Sequence, residues 1–139
     1  MNTINKFENL QAWQESHKLV IMVYGLAKSF PNEEKFRLTD QICRSASSVA
    51  ANLAEGSARA SRKEYLQFVY QSKGSLEETK YHLLLARDLG YLKNFNYEEI
   101  IEQATNCSKL INGLITYLRA NPKDGRLLRT INKEQGTIQ

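Results

Sequence analysis

Histidine and carboxylate side chains are the first candidates for chemistry in this sequence, because helical proteins often hold metal ions with them. A di-iron centre in a helical bundle requires two Glu-x-x-His pairs and two further inward carboxylates. Glu15 precedes His17 by two residues and Glu78 precedes His82 by four, so neither pair has that spacing. Neither histidine follows an arginine at the four-to-six-residue spacing with which some helical toxins cleave RNA. The sequence therefore predicts no metal site and no catalytic histidine.

The two cysteines, Cys43 and Cys107, provide neither a disulfide framework nor the paired spacing of a metal site. We expect both to be small buried apolar side chains rather than reactive thiols. Glycine-rich phosphate loops, Cys-x-x-Cys pairs and nucleophile-elbow motifs are absent from the sequence. The expectation is a protein without cofactor, metal or enzymatic activity, located in a reducing cytoplasm.

A polar set of residues remains in the alanine- and serine-rich stretch RSASSVAANLAEGSARASRK. Its members are Arg44, Asn52, Glu55 and Arg59. The last three recur at steps of three and four, so they share one stripe of a helix and Glu55 can bridge to Arg59. Three interpretations are open: a solvated surface, a buried polar network that fixes register between helices or subunits, and a binding face for phosphate or a partner protein.

Basic residues gather beside that stretch and near the C-terminus. Residues 119–139 hold five Lys/Arg against two Asp/Glu, a local +3, whereas residues 1–118 hold fourteen against thirteen, a local +1. The positive end of a helix favours an anion near residues 59–63, although Glu64 opposes this locally. The tail either aids solubility or acts as a phosphate-seeking arm. The predicted nucleic-acid contacts are Arg59, Arg62, Lys63, Lys123, Arg126, Arg129 and Lys133.

Four helical stretches are predicted to position these groups, because apolar residues recur in each at alternating steps of three and four. The predicted helices span about Leu10–Ser29, Lys35–Ala58, Ser61–Leu89 and Asn96–Leu118. Ser61 and Glu64 form a capping box, and Asn96 with Glu99 resembles one. Gly56 is expected to end or kink the second helix, and Gly90 to terminate the third.

The predicted architecture is an all-α, antiparallel up-down four-helix bundle over residues 1–121, followed by a basic, flexible tail over residues 122–139. The length of 139 residues suits one domain, and short links force neighbouring helices to run antiparallel. The longest apolar run, Leu19–Tyr24, is far shorter than the roughly 20 residues of a membrane span. The N-terminal residues lack the apolar region of a secretory signal.

Two of the helices carry more apolar surface than one bundle can bury. The first helix is apolar almost all round over Leu19–Tyr24. The third carries its core stripe and a second one, formed by Leu66, Tyr70, Tyr81, Leu84 and Leu85. Since large exposed apolar patches usually mark interfaces, the sequence predicts a homo-oligomer.

An ordered series of short motifs runs through the chain. The motifs are Phe7-Glu8-x-Leu10-x-x-Trp13, Phe30-Pro31-x-Glu33-Glu34, Leu38-Thr39-x-Gln41-Ile42-x-Arg44, Asn52-Leu53-Ala54-Glu55-Gly56 with Arg59, Glu64-Tyr65-x-x-Phe68, Gly74-Ser75-Leu76-x-Glu78 and Asp88-Leu89-Gly90-Tyr91-Leu92. The series, from about Phe7 to Leu118, resembles the bacterial four-helix-bundle family of 23S rRNA intervening-sequence proteins. It is more distantly similar to the accessory proteins of diversity-generating retroelements.

The resemblance implies a small cytoplasmic bundle that assembles as a ring-like homopentamer and has no established enzymatic activity. The retroelement relative implies contact with nucleic acid and with a nucleic-acid-handling protein. Two hypotheses follow. In the first, a non-catalytic oligomer binds structured RNA or DNA, or a nucleic-acid-processing partner, through its basic surface. In the second, the chain is a protein-interaction scaffold whose residues 52–59 dock another protein, without a direct role on nucleic acid.

Overall fold

The computed structural model describes residues 7–120, which fold into four α-helices. These are α1 (Gln11–Ala27), α2 (Leu38–Ser57), α3 (Arg62–Asp88) and α4 (Asn94–Ala120), with short 3-10 helices at Phe7–Asn9 and Asn32–Glu34. Helices α1 and α3 each pack against both α2 and α4, so α1 and α3 lie diagonally across the bundle. The predicted all-α four-helix bundle is confirmed, and no strand occurs in this range. The predicted tail, residues 122–139, lies outside the described part.

The link between α1 and α2 is longer than predicted, because α2 begins at Leu38 instead of Lys35. Arg37, the residue before α2, has φ −121° and ψ −106°, which is outside helical geometry. The backbone N–H of Leu38 donates to Oε1 of Glu34 at 3.4 Å, and Glu34 also accepts a hydrogen bond from the Tyr91 hydroxyl at 2.8 Å. Glu34 thus connects the α1–α2 link both to α2 and to the α3–α4 link.

Helix α3 has the two ends that the sequence predicts. The Ser61 hydroxyl accepts a hydrogen bond from the backbone N–H of Glu64 at 3.1 Å. After the helix, Gly90 adopts φ +84°, its N–H donates to the Arg87 carbonyl, and the Tyr91 N–H donates to the Ala86 carbonyl. This bond pattern is a Schellman motif, which satisfies carbonyls at the helix end. Helix α4 differs from the prediction, since it begins two residues before Asn96.

The core lies along the axis of the bundle, and all four helices contribute to it. Its largest fully buried side chains are Leu10, Leu19, Val23, Ile42, Val49, Leu53, Leu76, Leu83, Ile100, Ile111 and Leu114. Burial of one such side chain stabilises a fold by about 1.5–3 kcal/mol. Among residues 7–120, no helix is both long enough and apolar enough to span a membrane.

Helix α2 packs most extensively against α3, and small residues bring the two close together. Gly56 is the last residue but one of α2, which ends at Ser57, so the helix ends beside the predicted position. Gly56 is also buried against α3, where an added Cβ atom would lie 2.7 Å from Cβ of Phe68. A side chain at this position would collide with the neighbouring helix, so the glycine also serves close packing.

Hydroxyl groups connect α2 and α3 along this contact. The Ser72 hydroxyl donates to the Val49 carbonyl at 2.7 Å. Two hydroxyl pairs lie beside it, Ser75 with Ser48 at 2.9 Å and Thr79 with Ser45 at 2.8 Å. We call these three contacts the hydroxyl seam. Because buried polar groups need partners, the seam favours one alignment of the two helices.

Candidate nucleic-acid interface

The antiparallel order of the helices gathers basic side chains at one end of the bundle. The α2–α3 link, the first turn of α3 and the last turn of α4 lie at this end. They carry Arg59, Arg62, Lys63 and Arg119, and we call this group the basic end. The first three were predicted as contacts. Arg119 was not, although its position in the last turn of a helix antiparallel to α3 places it opposite Arg62.

Arg59 is held by an acidic and an aromatic neighbour. Its Nη2 atom lies 2.8 Å from Oε2 of Glu55, which confirms the predicted bridge. The guanidinium also lies 4.6 Å from the centre of the Phe68 ring. The arginine and glutamate side chains are 38% and 56% exposed, so solvent screens the pair and it adds little stability. The contacts orient an exposed cation at the α2–α3 turn.

A cavity of about 300 Å³ opens between the start of α3 and the end of α4. Its lining residues are Arg62, Lys63, Leu66, Leu118 and Arg119. We call it the end cavity. Half-buried Leu66 and Leu118, which is 3% exposed, are the apolar lining residues, and we call them its floor. The other three lining residues are cations, and no carboxylate is among the described residues that line the cavity. The Arg62 guanidinium lies 5.1 Å from the centre of the Tyr117 ring, a cation–π contact that positions its charge.

The buried hydroxyl of Tyr65 belongs to the same end of the bundle. Tyr65 is 9% exposed, and its hydroxyl has no hydrogen-bond partner within the described residues. Burial raises the pKa of Tyr65 far above its ordinary value, and the nearby charge of Arg62 opposes part of that rise. The phenol therefore stays neutral and adds no negative charge to the basic end.

The polar set predicted from the sequence does not form one buried network. Arg44 is exposed, as are Glu55 and Arg59. Only Asn52 reaches the hydroxyl seam, since its side-chain amide donates to the carbonyl and to the hydroxyl of Ser48, both at 2.9 Å. The interpretation of these four residues as a single buried network is therefore wrong within the subunit, because three of them face solvent.

The hydroxyl seam is the polar network that the sequence interpretation missed. Ser45, Ser72 and Thr79 lie on the core stripes of their helices, where apolar residues are the rule. Hydroxyl residues at core-stripe positions of two adjacent helices were the signal that could have predicted it. The candidates Lys123, Arg126, Arg129 and Lys133 lie outside the described residues.

The histidines and cysteines occupy unrelated places in the fold. His17 is exposed and stacks on Trp13, with 4.9 Å between ring centres. His82 is buried, and its Nε2 atom lies 3.2 Å from Oε2 of Glu78. Cys107 is fully buried and Cys43 is half-buried. From residue 7 to residue 120, no three histidine, cysteine or carboxylate side chains lie close enough to hold a metal ion.

Comparison with known proteins places this geometry in a family. No curated protein matches the chain. A crystal structure of a protein of unknown function from the S23 ribosomal protein family of Bacteroides thetaiotaomicron is similar, with 28% sequence identity and a TM-score of 0.70. The alignment covers 75% of this chain and 97% of that one. The family model described as 23S rRNA-intervening sequence protein matches residues 8–113. The chain therefore belongs to the 23S rRNA-intervening sequence protein family.

Proposed function

We propose that the protein is a non-catalytic homo-oligomer, a pentameric ring, that binds structured RNA or DNA through its basic end. The observation that carries this proposal is the convergence of Arg59, Arg62, Lys63 and Arg119 on one end of the bundle. Residues 121–139, which follow α4 in the sequence, hold four Lys/Arg against two Asp/Glu. Clustered cations attract the phosphate backbone irrespective of sequence.

Exposed apolar side chains on two helices support the self-association. On α1, Ile21 is 60% and Tyr24 is 48% exposed; on α3, Tyr70 is 44% and Tyr81 is 57% exposed. Each group lies beside an exposed glycine, Gly25 on α1 and Gly74 on α3, where an added Cβ atom would meet nothing within 4 Å. Glycine inside a helix costs roughly 0.5–1 kcal/mol of stability relative to alanine. Since no contact among residues 7–120 requires a glycine at these two positions, they favour the close approach of a second chain.

The placement of these two surfaces favours a ring. We call them the α1 face (Ile21, Tyr24, Gly25) and the α3 face (Tyr70, Gly74, Tyr81). Since α1 and α3 are diagonal in the bundle, the two faces point to opposite sides. Contact between the α1 face of one copy and the α3 face of the next is head-to-tail, and such contacts close into rings when the rotation permits. Self-association through them is contradicted if light scattering gives a monomer at micromolar concentration.

A ring would multiply the charge of one subunit. Five copies at +4 each carry +20. If neighbouring bundles lie side by side through α1 and α3, rotational symmetry places every basic end on the same side of the ring. Weak phosphate contacts from several subunits then act together on one nucleic acid, which raises the apparent affinity.

The direct test is the binding of a labelled RNA stem-loop across a salt series. Affinity is expected to fall steeply as salt rises, because each neutralised phosphate releases counterions. Lys63→Ala should weaken binding at every salt concentration and reduce the slope of log K against log salt by about one for each phosphate that is no longer neutralised. Lys93→Ala, an exposed cation in the α3–α4 link at the other end, should match the parent. Absence of binding at low salt, or a flat salt response, contradicts the proposal.

Deletion of residues 122–139 separates nucleic-acid binding from the alternative scaffold function. If the protein binds nucleic acid, the truncated chain should lose affinity, since the deletion removes the basic residues that follow the basic end. If residues 52–59 instead dock a protein, recruitment of that partner should survive the deletion. The exposed Glu55–Arg59 pair is the observation that favours the scaffold.

A further inference from the structure

We infer that the end cavity binds one unpaired nucleotide, with its phosphate on Lys63 and Arg119 and its base against Leu66 and Leu118. This inference rests on the proposed nucleic-acid function and makes it more specific. It means that the protein distinguishes single-stranded or bulged segments from continuous duplex. A purely electrostatic surface would not make that distinction in favour of single strands, because duplex carries the denser charge.

The size of the cavity and its floor favour a nucleotide over a bare phosphate group. A volume of about 300 Å³ lies at the lower limit of ligand pockets, which span roughly 300–1,000 Å³. That space accommodates one small ligand but not a double helix. The exposed lining of the cavity is mainly apolar, and three of its five lining residues are cations. Contact with an apolar floor does not stabilise a bound inorganic anion. An unstacked base, in contrast, is stabilised when it packs against that floor and both surfaces are removed from water.

The charge of the lining identifies the phosphate side of the ligand. Among residues 7–120, Lys63 and Arg119 are cations that line the cavity beside Arg62, and no carboxylate lines it. A nucleotide supplies both a negative group for the rim and a flat, weakly polar surface for the leucines.

The test compares oligouridine with a blunt RNA duplex that has the same number of phosphates, using fluorescence anisotropy. The parent protein should bind oligouridine more tightly. Leu66→Gln should weaken oligouridine binding by about three- to tenfold. This loss of affinity lies at or below the low end of what removing a base-stacking side chain costs. The same variant should leave duplex binding unchanged within about twofold. Leu84→Gln is the matched control, because Leu84 is also half-buried and lies on the same face of α3, five turns away. If a glutamine on this face of α3 weakened binding by disturbing the homo-oligomer, both variants would show that loss of affinity.

Competition on the unmodified protein provides a second measurement that does not depend on a variant folding. Adenosine monophosphate should displace oligouridine at lower concentration than inorganic phosphate or adenosine alone. Equal binding of oligouridine and duplex, or equal effects of Leu66→Gln and Leu84→Gln, overturns the inference while leaving the proposed function in place. Equal competition by phosphate and adenosine monophosphate shows that the cavity takes phosphate only and also overturns it. Failure to bind either RNA at low salt contradicts the proposed function itself.

Discussion

Cys107 shows how the interior of the bundle changes the chemistry of one side chain. It lies on α4 with no exposed surface, and burial raises the pKa of its thiol to about 12 from an ordinary value of 9.0. A thiolate is the reactive form of cysteine, so this side chain is inert at neutral pH. Burial also raises the pKa of Cys43, which is only half-buried. The two thiols should therefore differ both in reactivity and in their effect on stability.

The buried thiol of Cys107 predicts a loss of stability at alkaline pH. Between pH 9 and about 12 the folded chain keeps a proton that the unfolded chain releases. Raising the pH through this window therefore lowers the free energy of unfolding, with a slope that approaches about 1.4 kcal/mol per pH unit. Cys107→Ala should remove this contribution, so the difference in stability between parent and variant should shrink by that slope as pH rises. Urea unfolding at pH values from 8 to about 11 measures it.

Tyrosine ionisation does not confuse this comparison, because Tyr65 is present in both proteins and its contribution cancels in the difference. Cys43→Ala is the matched control and should change the slope much less, because its thiol is partly solvated. Parallel stability–pH curves for the parent and Cys107→Ala would contradict the assignment of a deeply buried, neutral thiol.

The hydroxyl seam predicts strong energetic coupling between α2 and α3. Removing one partner of the buried pair of Ser45 and Thr79 breaks the hydrogen bond between the helices, which costs about 0.5–1.5 kcal/mol. The hydroxyl that remains keeps a bond within its own helix, Ser45 to the Ile42 carbonyl or Thr79 to the Ser75 carbonyl. Because either substitution already breaks the bond between the helices, the second substitution does not lose it again. We therefore expect Ser45→Ala and Thr79→Val each to be destabilising, and the double variant to be less destabilising than the sum of the two. A double-mutant cycle from urea unfolding measures the coupling energy.

Ser47→Ala is the control for the seam, because Ser47 on α2 donates only within its own helix, to the carbonyl of Arg44. In a cycle with Thr79→Val it should be additive within about 0.5 kcal/mol. Additive effects of Ser45→Ala and Thr79→Val would mean that the seam does not hold the helices together.

The helices themselves could be predicted because local sequence determines them. Apolar periodicity and the capping residues Ser61 and Gly90 act within a few residues, so the number of helices and both ends of α3 followed from the sequence. The start of α2 could not be predicted, since it depends on the backbone at Arg37 and on Glu34, which a tyrosine from the next link also binds. The close packing at Gly56 could not be predicted, because it depends on Phe68 on another helix.

The candidate site was predictable only where neighbours in sequence are neighbours in space. Arg59, Arg62 and Lys63 are consecutive or nearly so, and the helix start that collects them was visible in the sequence. Arg119 and Leu118 come from α4, and only the packing of α3 against α4 brings them beside Arg62, Lys63 and Leu66. The sequence does not show which residues that are far apart in the chain lie close together in the fold.

At the scale of the whole molecule, the α1 and α3 faces distinguish two kinds of assembly. In a head-to-tail contact, every interface contains one α1 face and one α3 face. In a two-fold contact, the same face occurs on both sides of the interface. A substitution that disables one face therefore has different consequences in the two cases, and a mixture of two disabled variants can separate them.

Mixing Ile21→Lys with Tyr70→Lys should restore one interface. Each variant alone should be monomeric, because a charge sits in the interface that every pair requires, while stability of the subunit changes little at such exposed positions. Ile21→Lys copies keep an intact α3 face and Tyr70→Lys copies keep an intact α1 face. The mixture should therefore form a one-to-one dimer that cannot grow, because its two outer faces both carry the new lysine. Light scattering after size exclusion would detect it.

The adjacent substitution Gln71→Lys adds the same charge to α3 about 100° away from Tyr70 around the helix and should leave the assembly intact. If both disabled variants and their mixture remain monomeric, the two faces do not contact each other. If either variant alone still dimerises, the contact has two-fold symmetry, and the ring is wrong. A dimer formed only in the mixture would show that one subunit offers two different, complementary surfaces. That property allows several basic ends to act on one nucleic acid from the same side.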